Sequence, residues 1–162
     1  MSDVLDARCG SRKVEVNMDK LLDALGQNLN PVDFTKISVL KRDLLGKVGD
    51  GVSVRCTGSR LFGYGEDDSD YDLVVLDENL SMDEILDKYT NMGYERSSTG
   101  GYSKCDGFRM FRNKDTDENL IVTNSAYKFD IWCRCNKLVS RFKMSDRDTI
   151  HTIFSIMIDD YD

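Results

Sequence analysis

The sequence predicts an α+β fold, a small mixed β-sheet with helices packed on it. Three observations lead there. Apolar residues recur at helical spacing in several separate stretches. Shorter runs alternate or are continuously apolar, as strands are. The two kinds interleave in the order helix, helix, strand, strand, helix, strand, strand, helix, helix, with no internal repeat or linker. At 162 residues the chain is expected to form a single domain over 17–162 with a real core.

The elements follow in order. Residues 1–16 are polar and without period, and read as an N-terminal arm. Leu21, Leu22, Leu25 and Leu29 mark a first helix over 18–29. Pro31 suits the first turn of a second helix, capped by Asn30, with Phe34, Ile37, Leu40, Leu44 and Leu45 on one face. Gly46 and Gly49-Asp50-Gly51 are expected to end it. Residues 52–57 alternate as a strand, and 73–76 belong to another. Ser81 caps a helix running to Asn91, with Asp83 and Glu84 favourable in its first turn. Residues 97–101 read as a loop. Two strands follow, 108–112 and 120–123, joined by the polar turn 113–117. A helix is expected over 126–142 with Tyr127, Ile131, Leu138 and Phe142 near one stripe. A last helix starts near Ser145, with Ile150, Ile153, Phe154 and Met157 inward.

Composition removes several functions. No apolar run approaches membrane-spanning length, and the first six residues lack a basic-then-apolar signal pattern, so a soluble, cytoplasmic protein is expected. The five cysteines are irregularly spaced, and Cys133-x-Cys135 has no second pair and only His151 for company. This argues against zinc and for reduced intracellular thiols. A net charge of −7 opposes indiscriminate nucleic-acid binding. The charge is lopsided. Residues 66–87 carry ten acidic and no basic side chains, whereas 128–143 carry five basic against one acidic. The acidic stretch could hold cations, and the basic one reads as a phosphate-facing or merely solvated helix edge, with Lys137 and Arg141 one turn apart.

Within the acidic stretch lies the densest chemistry. Gly58-Ser59-Arg60 opens a glycine-bearing segment that includes Gly63 and Gly65, and Asp70-Tyr71-Asp72 opens the apolar run 73–76. Residues i and i+2 of a strand project to one face, so Asp70 and Asp72 converge while Tyr71, Leu73 and Val75 turn away. A Gly-Ser turn brings backbone N–H groups to the same spot. Two carboxylates beside such a turn suit magnesium and a nucleoside triphosphate. Tyr64 and Tyr102 lie in glycine-bearing loops where a base could stack. Trp132 and Tyr127 read as core, and His151 as a packing or surface residue.

The pairing of Gly58-Ser59 with Asp70-x-Asp72 resembles the DNA polymerase β-like nucleotidyltransferase superfamily. More narrowly, the chain is similar to small stand-alone nucleotidyltransferase-like proteins of bacteriophages, through Asn119-Leu120-Ile121-Val122-Thr123, Cys135-Asn136-Lys137-Leu138 and Ser145-Asp146-Arg147. The resemblance runs from about Val52 to Ile156, and a phage-encoded chain would work in the host cytoplasm. It implies a minimal nucleotidyltransferase fold and magnesium-dependent transfer of a nucleoside monophosphate to a hydroxyl, with release of pyrophosphate. It also implies that Asp70 and Asp72 hold one or two magnesium ions, while Gly58 and Ser59 hold the triphosphate. Arg60 either assists with charge or is a surface residue. The acceptor implied is an RNA 3′ end, a protein side chain or a small molecule. The family usually adds a third carboxylate. The aligned position is Asn119, a neutral oxygen ligand that cannot take up a proton. Glu118 is expected on the opposite face, and Asp130 imitates a strand carboxylate within a helical stretch. The alternative is a lapsed enzyme that acts as a nucleotide-binding or protein-binding regulatory module, as in phage–host interference or toxin–antitoxin pairs.

Overall fold

The computed structural model describes residues 31–97 and 107–159. The expected arm, the helix over 18–29, the Asn30 cap and Tyr102 lie outside the described residues. The elements are α1 (Pro31–Val48), β1 (Val52–Thr57), α2 (Gly58–Phe62), β2 (Tyr71–Asp77), α3 (Met82–Asn91), β3 (Glu95–Ser97), β4 (Arg109–Asn113), β5 (Glu118–Thr123), α4 (Ala126–Arg141) and α5 (Arg147–Asp159). The fold is α+β, as expected. No helix among the described residues is long and apolar enough to cross a membrane.

The strands form one mixed sheet in the order β1-β2-β5-β4-β3. Only β2 and β5 run parallel; the other neighbours are antiparallel. The central strands are apolar on both faces, because helices cover both. Leu73, Val75, Leu120, Val122 and Phe111 pack with Ile37, Leu40 and Leu44 of α1 and Ile85 and Tyr89 of α3. Val74 and Ile121 face the other way, toward α2, α4 and α5. There Trp132 is the centre, with ring centroids 5.0 Å from Phe108 and 4.7 Å from Phe154.

Several local expectations are corrected. Helix α1 continues past Gly46 to Val48, because Ile37, Leu40, Leu44 and Val48 make one buried stripe; Leu45 stands off it at 41 % exposure. The inward face of α4 consists of Phe129, Ile131, Trp132, Cys135 and Val139. Tyr127, Leu138 and Phe142 are exposed at 54, 39 and 68 %, so the expected stripe shared only Ile131 with the real one. Helix α5 starts at Arg147, near Ser145 as expected; Ile150 and Phe154 are buried as expected and Ile158 joins them, whereas Ile153 and Met157 are only partly buried. Two short elements were not expected. β3 has no apolar residue and exists through its pairing with β4. α2 has five residues, too few to show a period. Helix α3 matches its expected span, and its start carries a full capping box. Ser81 Oγ accepts from Glu84 N, and Glu84 Oε1 accepts from Ser81 N.

Arg60 has a structural task. Its guanidinium donates to Asp33 Oδ1 of α1 at 2.7 Å, to Ser69 O at 2.8 Å and to Asp67 O at 3.1 Å. It also lies over the Tyr71 ring, 4.1 Å from the centroid. Gly65 packs on it so closely that an added Cβ would stand 2.8 Å from Arg60 Cγ. The expected charge for a triphosphate is thus committed to holding the acidic loop against α1. Removing one partner of a buried ion pair is costly, so Arg60→Met should cost about 3 kcal/mol in urea denaturation. Asp33→Asn combined with Arg60→Met should cost less than the sum of the single changes, since the one interaction is then lost only once. Additive losses would contradict the pair.

Candidate functional site

The site is built on one rung of the sheet. Thr57, Asp72, Asn119 and Arg112 are register neighbours across β1, β2, β5 and β4. Residues directly opposite on paired strands share a face. These side chains therefore rise together on the side of α2, α4 and α5, and Asp70 joins them by alternation. Asn119 Nδ2 donates to Asp70 Oδ2 at 2.9 Å and to Asp72 Oδ1 at 3.1 Å. The two carboxylates do converge, and Asn119 bridges them through its donor nitrogen rather than its oxygen. Arg112 holds Asp70 with a fork: Nη1 donates to Oδ2 at 3.2 Å, and Nη2 lies 3.1 Å from Oδ1. Its Nε is buried with no hydrogen-bond partner among the described residues.

Gly58 closes the rung from above. Its φ is +82°, and an added Cβ would stand 2.0 Å from Asp72 Oδ2. The carboxylate fills the place a side chain would take, so only glycine fits. The strand end before it is fixed from behind. Thr57 Oγ1 donates to Asn136 Oδ1 at 2.7 Å and accepts from Trp132 Nε1 at 3.0 Å. Asn136 Nδ2 also donates to Cys56 O at 3.1 Å. After Gly58, the Ser59 carbonyl accepts from the N–H groups of Gly63, Tyr64 and Gly65, which curls the segment back on itself.

A cavity of about 410 Å³ opens over this rung. Gly58, Ser59, Asp70, Asp72 and Asn119 form part of its lining, as do Glu66, Asp68 and Tyr64. Arg147 and His151, one turn apart on α5, line it as well. That volume lies in the range of small-molecule sites.

Burial is the main cause that pushes the Asp72 carboxyl up to about 7. The Asp70 charge adds to the rise, whereas the Asn119 hydrogen bond and the Arg147 and Arg60 charges oppose it. Burial raises the Tyr64 phenol, and burial with the Arg147 charge lowers His151. Burial also pushes the Cys56 thiol up to about 12, which leaves it unreactive.

The remaining sequence candidates are dispersed. Glu118 is on the opposite face as expected, accepting from Tyr94 Oη at 3.1 Å and Thr116 Oγ1 at 2.7 Å. Asp130 is exposed on α4 and paired with Arg134 at 3.0 Å, away from the cavity lining. Lys137 and Arg141 are exposed on α4 and do not line the cavity. Cys133 and Cys135 lie on the same helix, where i and i+2 diverge. Arg112 and the pair Arg147/His151 were missed as site residues. Arg112 shows only once strand order is known; the i, i+4 spacing of a basic residue and a histidine on a late helix was a signal available in the sequence. No family model and no curated protein matches the chain.

Among the described residues no group of three or more His, Cys, Asp or Glu is placed to hold a metal ion. The rung nonetheless offers hard carboxylate oxygens from Asp70 and Asp72. Magnesium is commonly held by one or two carboxylates completed by substrate phosphates. The donor set fits that ion.

Gly58→Ala should destabilise the protein by at least about 2 kcal/mol, from positive φ and the clash together. Adding Asp72→Ala should recover part of that loss in thermal denaturation; no recovery would place the clash elsewhere. Asp72 also sets a pH dependence. Its folded pKa lies above the unfolded value, so its contribution is present at low pH and is lost as pH rises through about 7. In chelator, the wild type should lose on the order of 2 kcal/mol more than Asp72→Asn between pH 5 and pH 8. Parallel pH profiles of the two proteins would refute the shift.

Proposed function

We propose that the protein is a magnesium-dependent nucleotidyltransferase that moves a nucleoside monophosphate from a nucleoside triphosphate to a hydroxyl. The observation that carries this reading is the convergence of Asp70 and Asp72 beneath Gly58, at the floor of a cavity large enough for a nucleotide. Asp70 and Asp72 hold the metal. When bound, magnesium neutralises charge on the triphosphate and on the departing pyrophosphate. Gly58 and Ser59 receive phosphate oxygens with their backbone N–H groups. Arg147, in the same cavity lining, supplies the positive charge that Arg60 cannot. Tyr64 offers a face for the base. The acceptor oxygen attacks the α-phosphorus, the bond to the β-phosphate oxygen breaks, and pyrophosphate leaves. The acceptor's proton passes to solvent, because Asn119 has no basic lone pair to receive it.

A second reading is favoured by one observation. Where a third carboxylate would complete the rung stand a neutral Asn119 and a cationic Arg112. A module that binds a nucleotide or a protein partner without turnover would keep the cavity and need no base.

Pyrophosphate release separates the two. With magnesium, a panel of nucleoside triphosphates and pools of RNA, protein and small hydroxyl acceptors, the enzyme reading expects release. Asp70→Asn and Asp72→Asn should each lower it on the order of 100-fold or more. Tight nucleotide binding with no pyrophosphate from any pool supports the binding module instead. Asn119→Asp should raise the rate if position 119 is the vacant carboxylate place.

A further inference from the structure

We propose that the Arg112 guanidinium is the site's built-in second cation, so that the rung accepts one divalent ion with a nucleoside triphosphate and not two. The inference rests on the proposed function and deepens it. Its ground is a charge count on one rung. Asp70 and Asp72 supply two negative charges, Asn119 none, and Arg112 one positive. The positive charge is not loosely nearby. It meets both oxygens of Asp70 through a fork, the geometry in which a guanidinium binds a carboxylate most strongly.

The two carboxylates therefore differ in what they can offer. Asp70 has an oxygen on each arm of the fork, and one of them also accepts from Asn119. Asp72 accepts from Asn119 through Oδ1, and its Oδ2 faces Gly58 at the cavity lining. A single divalent ion finds lone pairs on Asp72 and on the unused side of Asp70. A second ion would lie against Asp70 and the phosphate oxygens on the Asn119 side of the rung, where Arg112 already stands. Placing a dication beside that guanidinium is opposed by like-charge repulsion in a partly buried setting. Arg112 is held there by strand register, since Arg112 pairs Asn119 and Asn119 pairs Asp72.

The test counts manganese ions. Protein is saturated with an equimolar non-hydrolysable triphosphate analogue and titrated with Mn2+, and bound ion is read from the loss of the free Mn2+ resonance. The wild type should hold one Mn2+ per complex. Arg112→Met, which keeps the length and removes the charge, should hold two. Arg112→Lys, which keeps the charge, should stay at one. Circular dichroism checks that each variant is folded. Two ions in the wild type would overturn the proposal without any variant. One ion in folded Arg112→Met would overturn it too, because the guanidinium would then not be what excludes the second. If the analogue is not retained by the protein at all, the proposed function itself fails, and that outcome is distinct from a wrong ion count.

Discussion

The contact between the Asp72 carboxylate and the backbone of Gly58 is the constraint on which the site depends. An added Cβ at Gly58 would stand 2.0 Å from Asp72 Oδ2, so strand β2 and the turn after β1 are fitted to each other at atomic range. That fit presupposes the antiparallel register in which Thr57 lies opposite Asp72. The register is in turn secured from outside the sheet, where Thr57 Oγ1 meets both Asn136 and Trp132 of α4. Trp132 is also the centre of one core layer. The position of a carboxylate in the cavity is thus tied, through three side chains, to the burial of the largest residue in the protein. Preorganisation of this kind places a functional group on rigid elements rather than on a loop.

The loop that does border the cavity is held by a second device of different character. Arg60 reaches from α2 to Asp33 of α1 and to the carbonyls of Ser69 and Asp67, with Tyr71 beneath it. It spends its donors on backbone carbonyls that the acidic loop would otherwise leave unmet. This also draws positive charge under a loop carrying Glu66, Asp67 and Asp68, which lowers the self-repulsion of that segment. Tyr71 serves both parts. Strand alternation turns it from the carboxylates flanking it, and that same turn presents its ring to Arg60.

How much of this is legible in the sequence depends on the range of each interaction. The convergence of Asp70 and Asp72 follows from a period of two over three residues and needs nothing else. The opposite fate of Glu118 follows from the same rule. The α3 capping box is equally local, complete within four residues. The α4 face was misplaced because aromatic and aliphatic residues occur all round that helix, and only the position of the sheet decides that Trp132 and Val139 go in while Phe142 stays out. Arg60 was misjudged because the group that claims it lies 27 positions earlier. Arg112 was invisible for a topological reason. Its proximity to Asp70, 42 positions away, requires that β5 insert between β2 and β4, a fact no local pattern contains.

The same topology explains why two carboxylates can be brought this close in a protein that must also be stable. Burying a carboxylate beside a second one raises the free energy of the fold; burial above all, with the Asp70 charge adding to it, drives the Asp72 carboxyl toward neutral pH. A sequence that relied on a bound cation to relieve the strain would fold only as far as the cation allowed. Here the relief comes from within. Asn119 gives one N–H to each carboxylate, and Arg112 neutralises Asp70 outright. The rung is consequently complete as a structural unit, and whatever binds above it meets a surface already shaped and only partly discharged. Among the described residues no cation contacts Asp72 within the rung, so the counter-charge falls on Asp70. The asymmetry between the two aspartates is thus a product of strand order: β5 puts a neutral donor between them, and β4 puts the counter-charge on one side alone.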